Sequence, residues 1–256
     1  MKKTIILLLS CTMLVLAGLT ANAFAENDIN LSLEPAVVQI SAFYNGTTVK
    51  VTGQIPATAE AVVRVTGSGE ELHLKKKGKV GGLLWMNTGD VSFENAPTVV
   101  MLYTPAAITD LEASPVSPFS FHALKEKVEI LPATEDKDFL FGEFLKLKQK
   151  DGLYITHQDA VSYGPIENDT KTFTVEMTIP TMMKPGRYTV ELAAAQNGHL
   201  IGIASKEMKI EMIGFPAELT KLAFGKPIFF GVMAVLIAIG AGLFTGILFK
   251  SKGGAH

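Results

Sequence analysis

The chain contains a single cysteine, Cys11, and it lies inside an N-terminal apolar run. The segment beyond that run therefore has no disulfide, no thiol nucleophile and no thiolate ligand for a metal. A copper site of the cupredoxin type needs a cysteine and is excluded for the same reason. An excess of charge of one sign is lacking too: 23 basic against 25 acidic side chains leave a net charge of −2. Nucleic-acid binding needs a basic surface to neutralise phosphates, so the balance argues against that partner. The five histidines (His73, His122, His157, His199 and His256) stand at no metal-ligand spacing from one another, and no HExxH, GxSxG or P-loop occurs. No two carboxylates can be set across a cleft. The expectation is a protein that is not an enzyme and has no catalytic, cofactor-binding or metal-binding residue.

What the chain does have is an apolar segment at each end. Met1-Lys2-Lys3, an apolar run over 5–19 and the small-residue stretch Ala21-Asn22-Ala23-Phe24-Ala25 read as a cleavable signal peptide. Cuts after Ala23 and after Ala25 both fit, and the polar Glu26-Asn27-Asp28 favours the second. Near the other end, residues 228–249 carry no charge and would span roughly 33 Å as a helix, enough to cross a bilayer core. Lys250 and Lys252 follow at once, which places the tail at 250–256 in the cytoplasm and the middle of the chain outside. Within the span Ala234, Ala238, Gly242 and Gly246 recur every fourth residue. Small residues at that spacing let a second helix approach closely, although glycine and alanine are common in spans generally. Residues 215–227, with Pro216 near a helix start, form a juxtamembrane segment with the pattern of a short amphipathic collar.

Between the ends the pattern is mainly β. Residues 37–40, 48–52, 61–66, 71–75, 83–86, 91–93 and 98–103 make about seven short strands separated by turn residues. That count predicts an immunoglobulin-like β-sandwich lobe over 26–110. Gly67-Ser68-Gly69 reads as a hairpin turn, and Trp85, the only tryptophan, reads as a core residue. A proline-bearing connector covers 111–135. Residues 136–150 then read as one inserted amphipathic helix, with acidic residues at its start, lysines at its end and Gly152 as its stop. Residues 172–179 alternate, and two long strands meet at Asn197-Gly198, a type I′ signal. The expected organisation is two β lobes, 26–110 and 136–214, parted near 110–120.

Two surface features bear on function. Lys75, Lys76, Lys77 and Lys79 line one strand and could contact an anion or a lipid headgroup. The plainer reading is an edge strand that lysines protect from aggregation, and it is the favoured one. Met182-Met183 could be thioether ligands, but without a neighbouring histidine or cysteine they read as core or turn residues.

The order of Arg64-Val65, residues 74–87, residues 144–154, residues 185–191, Ile213-Gly214-Phe215 and a terminal span is similar to that of a family of bacterial transmembrane proteins first described from alphaproteobacteria. The resemblance covers nearly the whole chain after the leader. It implies a Sec signal, a periplasmic β domain and a C-terminal transmembrane helix. It also implies genes placed near an exporter of the sulfite or organosulfonate type, and no established activity. The expected function is a non-catalytic, membrane-anchored periplasmic accessory protein of an inner-membrane, sulfur-oxyanion transporter, single-pass, with its C-terminus in the cytoplasm. The partner would be a polytopic membrane protein, or a second copy bound through the helix. The alternatives are a self-associating envelope scaffold and an anchored solute- or metal-binding module.

Overall fold

The computed structural model describes residues 29–133 and 136–250. The signal peptide read over 1–25 and residues 251–256 of the tail, Lys252 included, lie outside the described residues. In chain order the elements begin with β1 (Ser32–Glu34), β2 (Val37–Ile40), β3 (Thr47–Pro56) and β4 (Glu60–Gly67). β5 (Gly69–Val80), β6 (Leu84–Pro97) and β7 (Val100–Tyr103) follow, then two 3-10 turns, Ser117–Phe119 and His122–Glu126. Next come β8 (Glu129–Leu131), helix α1 (Lys137–Lys150), β9 (Tyr154–His157), β10 (Val161–Glu167) and β11 (Thr170–Ile179). The chain closes with β12 (Gly186–Gln196), β13 (His199–Met212), α2 (Phe215–Gly225) and α3 (Pro227–Lys250).

Alternating side chains build the core, because successive residues of a strand face opposite sides of the sheet. In β3, Val49, Val51 and Ile55 point inward, and in β11 Phe173, Val175, Met177 and Ile179 do the same; all seven are fully buried. These strands lie in a four-stranded sheet of order β1-β3-β11-β10. It packs against a six-stranded sheet of order β2-β13-β12-β4-β7-β9, whose inner face supplies Val63, Val65, Met101, Tyr103, Val190 and Leu192. The fold is mainly β, and the two sheets form a sandwich. The order β1-β3-β11-β10 over β13-β12-β4-β7 is shared with immunoglobulin sandwiches. So is the hydroxyl of Tyr188, at the start of β12, donating to the carbonyl of Lys184 at 2.7 Å.

Two expectations are corrected here. The segments 26–110 and 136–214 are not separate lobes: β3 pairs with β11, and β4 pairs with β12, so both halves contribute to both sheets. Gly67-Ser68-Gly69 is not a hairpin turn either. β4 runs on into β5 and pairs with β7 while β5 pairs with β6, so 60–80 and 84–103 form one long bent hairpin. The bend is held by backbone bonds from Gly67 N to Val99 O and from Thr98 N to Ser68 O, both 2.9 Å. The hairpin closes at Gly81-Gly82, whose φ values of +62° and +77° suit glycine. At the other hairpin the expectation holds, with Asn197 and Gly198 at φ 50° and 79° between β12 and β13.

A third layer covers the outer face of the six-stranded sheet. Helix α1 starts at Asp136, whose carboxylate accepts from the N–H groups of Asp138 and Phe139, both at 3.1 Å. It ends at Gly152, φ +67°. Leu140, Phe141, Phe144 and Leu145 of α1 pack on Val91 and Phe93 of β6 and on Val100, Leu102 and Tyr154 of the large sheet. The connector packs Val116 and Phe119 on Val62, Ala193 and Ala195. Leu147 of the same helix is only half-buried, and Lys148 is buried.

Two buried cations tie this layer down. Arg64 donates through Nε and Nη2 to Glu191 Oε2 at 2.9 and 2.7 Å, and through Nη1 to the Pro118 carbonyl at 3.1 Å. Its guanidinium sits 4.3 Å from the centroid of the Phe119 ring. Lys148 donates to Glu70 Oε1 at 3.0 Å, and Lys184 reaches Glu70 Oε2 at 3.4 Å. Burial raises the Glu70 carboxyl pKa, but the hydrogen bonds and charges of Lys148 and Lys184 outweigh it and hold it below its ordinary 4.5.

Two outcomes follow for the full chain in detergent. Around pH 4.5 the folded state binds fewer protons at Glu70 than the unfolded state does. The contribution of Glu70 is therefore complete above that pH and is lost as pH falls through the lower folded value. Denaturant unfolding of Glu70→Gln should show a loss on the order of 2 kcal/mol at pH 7 that shrinks toward zero at strongly acid pH. Gly53 lies opposite Phe173, and a Cβ there would meet the backbone oxygen of Asn30. Gly53→Ala should cost on the order of 2–3 kcal/mol, read as a lowered thermal midpoint of the β signal.

Candidate functional site

The far half of the β5–β6 hairpin is an arm. β8 pairs with β6 only over Ser92, Phe93 and Glu94, so residues 77–89 extend past the sheet that supports the base. At the base, Leu72, Leu74, Val91 and Phe93 rest on α1. The Tyr154 hydroxyl donates to the Pro97 carbonyl at 2.9 Å, and burial, with the Glu70 charge, raises its pKa. The base is thus built into the core, and the arm is not.

Period-2 alternation sorts the four lysines. Lys75, Lys77 and Lys79 are exposed on one face of β5, and Lys76 lies on the other with Leu72 and Leu74. Lys75 pairs with Asp90 across the hairpin at 2.6 Å. Lys79 sits over the Trp85 ring, 5.5 Å from its centroid. The expected lysine patch is therefore three residues on one face, one of them ion-paired. Between the arm's base and α1 lies an open cleft of about 360 Å³, lined by Lys75, Lys76, Lys77, Phe93, Phe139 and Glu143 among others. It joins an apolar floor to a basic rim.

Trp85 is corrected: it is 68% exposed and outside the core. It sits near the tip with Leu83, Leu84 and Met86, all exposed, and Val80 is exposed across the turn. These residues are what reading the sequence missed as a site. The signal was present in Leu83-Leu84-Trp85-Met86, four apolar residues in a row directly after two glycines. A strand without alternation is apolar on both faces, so it is either buried on both or exposed on both.

The other predicted interface lies on α3. The stretch Pro227–Phe249 has a mean hydropathy of 2.5, and its most apolar window is wholly unburied, as a membrane span requires. Ala234, Ala238, Gly242 and Gly246 follow one stripe of that helix. Gly242 and Gly246 have nothing within 4 Å of where a Cβ would sit. α2, capped by Gly214 with Pro216 in its first turn, precedes the span and buries none of its residues.

Three of the described histidines have separate partners. His73 lies against Glu71 and Ser92, His122 against Glu112, and His157 stacks on Tyr103 with centroids 4.7 Å apart. Burial lowers the His157 pKa. Tyr163 donates to Glu60 at 2.7 Å, and Lys171 sits 3.9 Å from the centre of its ring, so this cluster is a clasp between the two sheets. Of the two methionines weighed as ligands, Met183 is buried and Met182 exposed. Among the described residues, no three His, Cys, Asp or Glu side chains converge as a metal site.

No curated protein matches the chain. A family model described as "Putative transmembrane protein (Alph_Pro_TM)" matches residues 28–251, the whole β domain and the span together. The chain belongs to this Alph_Pro_TM family of transmembrane proteins.

Proposed function

We propose that the protein is a non-catalytic accessory subunit of a polytopic inner-membrane transporter. In this reading its β domain stands in the periplasm, α3 crosses the membrane once and the C-terminus is cytoplasmic. Lys250 and Lys252, directly after the apolar stretch, support that orientation. The observation that carries the proposal is the stripe of α3: four small residues, the two glycines facing open space, on a helix whose apolar window is unburied. In lipid, small residues at this spacing let helix backbones approach closely enough for dispersion and weak hydrogen bonds to hold them together. The family resemblance suggests sulfite or an organosulfonate as the transported solute. The non-catalytic part of the proposal is supported by the pairing of the domain's acids and bases in structural clamps, Arg64 with Glu191, Lys148 with Glu70 and Tyr163 with Glu60.

The test is capture of the tagged protein from gently solubilised native membranes, followed by identification of what accompanies it. The expected result is a transporter of many spans at stoichiometric yield. Gly242→Leu or Gly246→Leu should abolish that co-purification. Either leucine enters empty space in the isolated chain, so the β domain's unfolding midpoint should not move. Recovery of a defined homodimer with no partner would replace this reading with self-association. A partner retained by both leucine variants would rule out the stripe as the docking surface.

A further inference from the structure

We infer that the tip of the β5–β6 arm is a second membrane contact. It lies on the bilayer face from which the β domain projects, with Leu83, Leu84, Trp85 and Met86 in the interface and Lys75, Lys77 and Lys79 against anionic headgroups. The first support is topological. In the six-stranded sheet Tyr188 lies opposite Gly67, and Gly186 opposite Ile210. The end of β4, the start of β12 and the end of β13 therefore share one end of the sheet. The arm leaves that end after Gly67, and the chain leaves it after Met212 toward α2 and the span. The arm thus departs from the membrane-side end of the sandwich. From Lys77 to the glycine turn it adds a ribbon of roughly 13 Å.

The second support is chemical. Leu83 is 87% exposed and Trp85 68%, an apolar tip that water disfavours and that none of the described residues covers. Tryptophan suits the headgroup region, where its ring is half apolar and its N–H remains wet. Residues 75–90 contain four lysines against one acid, Asp90, so the arm carries a net positive charge to match an anionic surface. The exposed lysines lie on the shaft and the apolar residues at the end. A surface-inserting element needs that order, with headgroups meeting charge while the acyl boundary receives the tip. The inference does not depend on which membrane protein α3 docks against.

Trp85 is the only tryptophan in the chain, so its fluorescence reports the tip alone. The full chain would be reconstituted, without other proteins, in vesicles of phosphatidylglycerol and phosphatidylcholine with brominated acyl chains. The expected result is quenching of Trp85 by the brominated lipid and protection from aqueous acrylamide. Vesicles of brominated phosphatidylcholine alone should show weaker quenching. The charge reversals Lys75→Glu, Lys77→Glu and Lys79→Glu together should free Trp85 to acrylamide. Each lost lysine contact should lower tip occupancy by about fivefold. An emission open to acrylamide and indifferent to brominated lipid would overturn the inference. Protection from acrylamide without lipid quenching would also overturn it, since the tip would then be covered by protein.

Discussion

The structure depends on the central strands of one sheet being buried on both faces. β4 and β12 lie at the centre of the six-stranded sheet, between the sandwich core and the third layer. Residues 61–65 of β4 are buried without interruption, as are 192–195 of β12. A strand covered on both sides must satisfy its ladder within the sheet and fill two cores at once. Arg64 shows how strict that is. Its charge faces the outer core and is tolerated because Glu191, the Pro118 carbonyl and the Phe119 ring meet every side of it. The connector that brings Pro118 and Phe119 is therefore part of the fold and not a spacer between lobes.

What was legible in the sequence is what alternates or caps locally. Phe173, Val175, Met177 and Ile179 could be read as one face, Asp136 and Gly152 as helix ends, and Asn197-Gly198 as a turn. Each of these depends on a few adjacent residues. The partition into lobes was not legible, because β3–β11 and β4–β12 are pairings between residues more than a hundred positions apart. No local pattern encodes that choice of partner. Gly67-Ser68-Gly69 misled for a related reason. Two glycines beside a serine can turn a chain back or bend a strand from one sheet to the next, and the ladder decides which. Lys148 was read only as one of the lysines at the helix end, because Glu70, which draws it inward, is remote in sequence. The apolar helix at 227–249 was legible because its pattern is local.

Trp85 was misread through a general expectation that large aromatic rings are buried. The expectation holds for an aqueous surface. It need not hold for a protein whose surroundings are not all water, and this chain carries a candidate membrane span. The same bilayer explains why α3 can expose an unbroken apolar surface at no cost.

The two exposed apolar features differ in what they can do. A helix in lipid gains nothing from hiding its leucines, so any specificity has to come from shape, and under the proposal the small residues on α3 would supply it. A hairpin tip outside the bilayer core gains a great deal from covering its leucines and tryptophan, so position and charge suffice to place it. A single span leaves a domain free to turn about the membrane normal and to tilt. A second contact at the end of an arm whose base is rooted in the core by Phe93, Phe144 and Tyr154 would restrict that freedom. Orientation of the domain above the membrane would then be set through Glu70, Lys148 and Lys184. That cluster joins the arm's base to α1 and to the turn before β12, so the clamp that stabilises the fold is also the joint that would transmit the orientation.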